Sequence, residues 1–317
     1  MELFSSLTVK TNLKGLLEIL ASAAEFEVLP VRQGEEELIR KLINQQRFSF
    51  DSPKCTDPHV KANALLQAHF SRQLVGGNLA ADQKEVLSSA SRLLYAMVDI
   101  ISSNGWLSLA LLVMELSQMV TQGMWENDLS LLQLPYFTKE LARRCQENHG
   151  RSVETVFDLM EMENNERQEL LQMSDSQLFE IAKICNCFPD IKFTYDILNN
   201  EDIRTGEKIT LQVPVERNLE GSTKVGPVNA PRYPKTKEEG WWLVVGDTES
   251  NQLLAIKRMT LQRKSEVKLG YDAPAQRGRK DYRLYFMCDS YMGCDQDYKF
   301  SVDVKDTVSQ EDDNMRE

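Results

Sequence analysis

The sequence predicts a multidomain chain, α then β: helical through its first two thirds and folded as a β-sandwich in its last third. Three observations carry this. Between residues 59 and 188 the only proline is Pro135, whereas residues 189–306 hold Pro189, Pro214, Pro227, Pro231, Pro234 and Pro274. Proline has no N–H and clashes with the preceding turn, so helix interiors expel it. The second observation is a change of apolar period near Asp190, from helical spacing to strict alternation. The third is the set of short breaks, Gly76-Gly77, Asn104-Gly105 and Leu134-Pro135, that divide the helical part.

In chain order, Asp57-Pro58 is an N-cap followed by proline at the first helical position. The helix it opens is expected to run through Leu65, Leu66 and Phe70 toward Gly76-Gly77. A second helix is expected from about Asp82 to Ser103, with Val86, Leu87, Leu93, Leu94, Met97 and Ile101 at helical spacing. Asn104-Gly105 ends it, and Trp106 opens a third helix that reaches about Trp125, making an antiparallel hairpin. The first half of that third helix is apolar on nearly all sides (Leu107, Leu109, Leu111, Leu112, Val113, Met114, Leu116), so it reads as central and buried. Shorter helices follow near 138–149, 152–160, 163–171 and 175–186, with Ser174 and Gln177 in a capping box. Each is too short to stand alone, and together they are expected to form one subdomain packed on the bundle.

Alternation begins at Ile191, Phe193 and Tyr195. It returns at Leu211, Val213 and Val215, at Tyr282, Leu284 and Phe286, and at Phe300, Val302 and Val304. Trp241-Trp242-Leu243-Val244-Val245 reads as a buried strand. Some seven short strands indicate a sandwich of about one hundred residues. The domains expected are 1–133, 134–189 and 190–306, with 307–317 a polar, acidic tail.

Composition narrows the function. No stretch approaches the roughly 18 consecutive apolar residues of a membrane span, and the N-terminus lacks the pattern of a signal peptide; no membrane partner is expected. The six cysteines form no CxxC pair, and His59, His69 and His149 lie at no zinc-ligand spacing from them. No GxxxxGK[ST], GxSxG or HExxH occurs. The sequence offers no catalytic residue, metal site or cofactor site, and the chain reads as a non-catalytic module.

Charge is uneven beneath a net −11. Residues 1–133 carry 11 basic and 15 acidic side chains, residues 134–189 carry 6 and 10, and residues 190–306 carry 19 of each. Residues 257–283 hold nine basic side chains, Lys257, Arg258, Arg263, Lys264, Lys268, Arg277, Arg279, Lys280 and Arg283, against Glu266, Asp272 and Asp281. Such a run serves either to guard strand edges against aggregation or to dock an acidic partner or an RNA backbone.

Several ordered segments resemble one family: DPHVKANALLQAHFSR (57–72), SSNGWLSLALLVMELSQMVTQGMW (102–125), LPYFTKE (134–140), SVETVFDLMEME (152–163), EEGWWLVVGD (238–247) and LYFMCDSYMGCDQDYKFSVDVK (284–305). Across nearly its whole length the chain resembles a Sec-63-homology unit, in particular the C-terminal one of the large spliceosomal DExH RNA helicases of the U-five small nuclear ribonucleoprotein. The resemblance implies a seven-helix bundle, a helix-loop-helix subdomain and a fibronectin-type-III-like, or immunoglobulin-like, sandwich. It also implies a helicase core and winged helix before residue 1, so that the chain reads as a fragment of a longer protein. By order in the chain, 106–126 would be the family's ratchet helix, with Glu115, Gln118 and Gln122 as its polar stripe. That stripe is neutral to acidic, where a helix working on nucleic acid is expected to offer basic or stacking groups. The function implied is a nuclear, non-catalytic scaffold that binds splicing-factor proteins beside a helicase core in cis. The alternative is an accessory domain that contacts single-stranded RNA for that helicase; on the scaffold reading RNA contact is weak.

Overall fold

The computed structural model describes residues 2–219, 221 and 224–307; of the expected acidic tail, all but Thr307 lies outside them. Five α-helices precede residue 134: α1 (Leu13–Ala21), α2 (Glu36–Asn44), α3 (Pro58–Phe70), α4 (Gly77–Ser103) and α5 (Leu107–Gln122). Three short 3-10 turns, Glu2–Ser6, Ala24–Phe26 and Ser130–Gln133, accompany them, where the resemblance implied seven helices.

Local capping explains most of the boundaries. Asp57 accepts from the His59 amide and sets Pro58 at the first position of α3. The helix stops at Phe70, short of Gly76-Gly77, because Arg72 turns left-handed (φ 53°) and the Gln73 amide folds back to Ala68 O at 2.9 Å. Gly76 is instead the N-cap of α4, which begins five residues before Asp82. Asp82 therefore caps nothing. Its carboxylate meets Lys61 Nζ at 2.6 Å and Arg32 Nη1 at 2.7 Å, and Lys61 also reaches Glu35 at 2.7 Å. Burial opposes ionisation of Glu35 and Asp82, but the bonds from Lys61 and Arg32 hold both carboxyls below their usual range. Two cations and two anions thus neutralise one another around a fully buried lysine and pin α3 to α4.

The α4–α5 hairpin forms as the sequence predicts, and Gly123 (φ 63°) ends α5 in the left-handed region. Its first half is buried as expected at Leu107, Leu109, Val113, Met114 and Leu116, and burial continues through the second half. Leu111 and Leu112 are only partly buried, whereas every residue from Leu116 to Trp125 is buried. The second half of α5 lies between the bundle and the sheets, so its polar face is covered too.

Four short helices follow: α6 (Lys139–Gln146), α7 (Val156–Met160), α8 (Asn164–Leu171) and α9 (Asp175–Cys187). Capping boxes open α7 at Thr155 and α9 at Ser174. Their core belongs with the sheets and not with the bundle. Leu141, Cys145, Leu159 and Ile181 join Ile191, Trp241 and Tyr291 in one apolar cluster. The Phe188 ring bridges the two sides, 5.5 Å from Phe157 and 5.3 Å from Tyr291.

Nine strands complete the described residues, two more than expected: β1 (Ile191–Phe193), β2 (Asp196–Ile197), β3 (Ile203–Arg204), β4 (Lys208–Arg217), β5 (Trp241–Asp247), β6 (Gln252–Met259), β7 (Lys264–Asp272), β8 (Gly278–Cys288) and β9 (Gln296–Lys305). β2, β3, β6 and β7 lie outside the alternating runs read from the sequence, and β2 and β3 are only two residues long. One sheet has β4 at its centre, paired with β1 and β2 on one side and β7 on the other; the second runs β3-β9-β8-β5-β6. All pairs are antiparallel except β3–β9.

Both faces of β5 are buried, which accounts for its unbroken apolar run. Trp241, Leu243 and Val245 face the core shared with β4 and β7, while Trp242 and Val244 join the helical core. Gly246 lets the start of α5 come close, since a Cβ there would lie 2.5 Å from the Leu107 side chain. Asn251, at the β5–β6 turn, accepts from the Ser108 amide through Oδ1 (2.9 Å) and from the Leu107 amide through its carbonyl (3.2 Å). The N-terminus of α5, where Trp106 provides no side-chain cap, is therefore capped by the sheet.

Candidate functional site: the helix–sheet seam and the basic segment

The polar stripe of α5 faces the turn between β8 and β9. Gln118 Nε2 donates to Cys288 O (2.8 Å) and to Asp295 Oδ2 (2.8 Å), and Gln122 Nε2 donates to Ser290 O (2.9 Å). Both side chains are buried, at 2% and 3% exposure. Ser117 Oγ donates to Asp289 O at 2.9 Å, and Gln133 exchanges two bonds with the Met292 backbone at 2.7 and 2.8 Å. Glu115, the third residue of the stripe, is half-buried. Burial, with Glu126 nearby, raises its carboxyl above the usual range. The stripe therefore satisfies main-chain groups of a turn that would otherwise be buried without partners. Gln118 and Gln122 are not displayed along a surface.

Asp289 is the hub of this seam. Its Oδ1 accepts from the Gly240 amide (3.0 Å) and from the Ser290 hydroxyl, and its Oδ2 from Tyr95 OH (3.0 Å) and Arg258 Nη2 (2.5 Å). The Arg258 guanidinium also lies over Trp242 and Tyr95, 4.3 and 4.5 Å from the ring centroids. Lys237 Nζ reaches Thr121 Oγ1 at 2.7 Å and Asp289 O at 3.1 Å, and burial pushes its pKa below the ordinary lysine value. Asp295 is pushed up to about 7, by burial first, with Gln118 and the Cys288 amide opposing and Glu115 adding to the rise.

The basic segment is not one patch. Lys257 and Arg258 lie on β6, Lys264 and Lys268 on β7, Arg279, Lys280 and Arg283 on β8, and Arg263 and Arg277 in the connections. The two sheets divide them. Five are paired: Arg258 with Asp289, Lys264 with Glu216 (3.3 Å), Arg277 with Asp306 (2.8 Å), Arg279 with Asp281 (3.2 Å) and Arg283 with Asp297. Among the described residues Lys257, Arg263, Lys268 and Lys280 have no carboxylate partner.

Sequence reasoning missed Asp289, Asp295, Lys237 and the Lys61 network. The signal present was weak: a lysine among the leucines and alanines of α3, and three acidic or polar residues clustered in the β8–β9 turn. No helix of the described residues is long and apolar enough to cross a membrane.

Comparison with known proteins adds identity to this geometry. The profile of the Sec63 Brl domain matches residues 1–301. The chain is 69% identical over 305 residues to the DExH-box ATP-dependent RNA helicase DExH12 of Arabidopsis thaliana, covering 96% of this chain and 14% of that protein. It is 51% identical over 312 residues to the U5 small nuclear ribonucleoprotein 200 kDa helicase of Homo sapiens, covering 98% and 14%. The chain thus spans about one seventh of the length of these relatives. A solved CARDB domain from Pyrococcus furiosus aligns with 37% of this chain and 94% of its own at TM-score 0.24 and 17% identity, too slight a likeness to assign a fold.

Proposed function

We propose that this chain, which belongs to the Sec63 Brl domain family, is a non-catalytic scaffold of a U5-type spliceosomal RNA helicase, acting in the nucleus. The matched segment is the Sec63 Brl domain and not a helicase core, and the names of the relatives supply the spliceosomal setting. On this reading a helicase core in cis and splicing-factor proteins are its partners. The fibronectin-type-III-like character of the sandwich belongs to the same proposal, supported by two sheets that share one apolar core.

The observation that favours a scaffold over an RNA guide is the fate of α5. A helix that tracks a single strand must present side chains to it. Gln118 and Gln122 are turned into the seam and hydrogen-bonded there. The exposed members of the basic segment 257–283 lie on the sheets and their connections, whose faces and edges suit protein partners.

The test pairs the wild type with the triple reversal Arg277→Glu, Arg279→Glu, Lys280→Glu. Splicing-factor capture from nuclear extract is expected to weaken, through slower association, while the fold survives. Single-stranded RNA binding is measured alongside at two salt concentrations. Strong, salt-steep RNA binding that collapses in the mutant while protein capture is untouched would replace the scaffold with the RNA-guide reading.

A further inference from the structure

The docking reading leaves open which part of the β-domain receives a partner, and in what form. β6 and β7 are the outer strands of their respective sheets: β6 pairs only with β5, and β7 only with β4. They follow one another in the chain, joined by four residues, and away from that joint they part. The cleft between them has a volume of about 470 Å³ and is walled by Leu253–Lys257 of β6 and Lys268–Gly270 of β7.

Three features of this cleft point to an occupant. The first is unmet main-chain capacity. The Leu253 amide reaches Gly105 O at 2.8 Å, but beyond it no main-chain group of β6 bonds to anything except β5 among the described residues. The second is charge. Lys257 and Lys268 stand on opposite walls, and the stem of Lys208 packs over Gly270; none of the three has a carboxylate partner among the described residues. The third is Ser102, at the end of α4, which also lines the cleft. Its hydroxyl is buried without a hydrogen-bond partner.

We propose that this cleft binds an extended acidic segment of a partner protein, which adds as a strand to the free edge of β6. The inference rests on the scaffold reading above and names the partner's chemistry. Strand addition supplies affinity through main-chain bonds. The lysines select the ligand, because a neutral or basic strand would leave them unpaired at a desolvated edge while an acidic strand neutralises them. The same lysines deter edge-to-edge pairing between two copies of this chain, since like charges would meet.

The experiment uses the whole chain and a seven-residue peptide of alternating aspartate and valine, capped at both ends. Amide hydrogen exchange is expected to slow at residues 254–257 on peptide addition. Affinity is expected to fall at least tenfold in Lys257→Glu/Lys268→Glu, and tenfold or more when the peptide is N-methylated along one edge but not the other. Overturning results are binding that ignores N-methylation, binding unchanged in the double mutant, protection appearing elsewhere, or no binding together with self-association of Lys257→Ser/Lys268→Ser; the last would mean that the lysines only guard the edge. Protection of 254–257 by oligouridylate in place of the peptide would equally overturn it. Should splicing-factor capture fail in the Arg277/Arg279/Lys280 reversal while Lys257→Glu/Lys268→Glu leaves it intact, the scaffold reading stands and the cleft does not.

Discussion

The polar stripe of α5 and the basic run of 257–283 look alike in sequence, since each concentrates polar side chains where a partner could be met. Their fates differ. Gln118 and Gln122 are buried and hydrogen-bonded within the chain, whereas most of the nine basic residues stay exposed and are divided between two sheets. Arg258 is the exception that links them, because it leaves its neighbours on β6 to pair with Asp289 in the seam. Polar content therefore says little about availability; what matters is whether a distant element brings complementary groups.

The sharpest way to break this comparison is at Asp289. Asp289→Ala removes the acceptor shared by Arg258, Tyr95, Ser290 and the Gly240 amide. A loss of about 3 kcal/mol is expected, at the low end for a broken buried pair because Arg258 stays partly in water. Chemical denaturation would show it, and a midpoint equal to the wild type would mean that the seam does not hold the two halves together.

Gln118→Leu is expected to cost about 1–3 kcal/mol, since it removes the side-chain donor to Cys288 O and leaves the Asp295 carboxyl with only the Cys288 amide. A neutral outcome would return the glutamine to the status of a surface residue.

The pH dependence sharpens the same contrast. Asp295 has a native pKa near 7, above the ordinary aspartate value of about 3.9, so the native state binds the extra proton between them. Stability is therefore lost as pH rises from about 4 to 7. His69 acts oppositely. Burial lowers its pKa to about 4, so stability is lost as pH falls from about 6.5 toward 4. Removing one should unmask the other: Asp295→Asn is expected to make the protein steadily more stable from pH 4 to 6.5, relative to wild type. An unchanged pH profile would show that Asp295 titrates normally.

The smallest effect is expected in the basic run. Arg277→Ala and Arg279→Ala remove exposed ion pairs and should each shift stability by no more than about 0.5 kcal/mol. A loss comparable to Gln118→Leu would erase the distinction between the two regions.

Much of this architecture was legible in the sequence because the signals are local. Proline placement, the change of period at residue 190, Asp57-Pro58 and the Ser174 capping box act through neighbouring atoms, and the α4–α5 hairpin, α6 to α9 and strands β1, β4, β5, β8 and β9 lie close to where the sequence puts them, whereas α1, α2, β6 and β7 lie outside the signals read from it. Boundaries that depended on distant groups were misread. Asp82 looked like a helix start, but Lys61 and Arg32 claim its carboxylate, and α4 begins earlier. Leu112 looked central but is only partly buried, while the far half of α5 is buried throughout.

The sequence by itself determined the order of helices and strands, the alternation that gives each strand a core face, and the family. Only the tertiary structure decided which polar side chains are free. Gln118 meets Cys288 across 170 residues of chain, and Asn251 caps a helix that begins at Leu107. Burial is a property of two surfaces brought together, and no spacing within one segment encodes its distant partner.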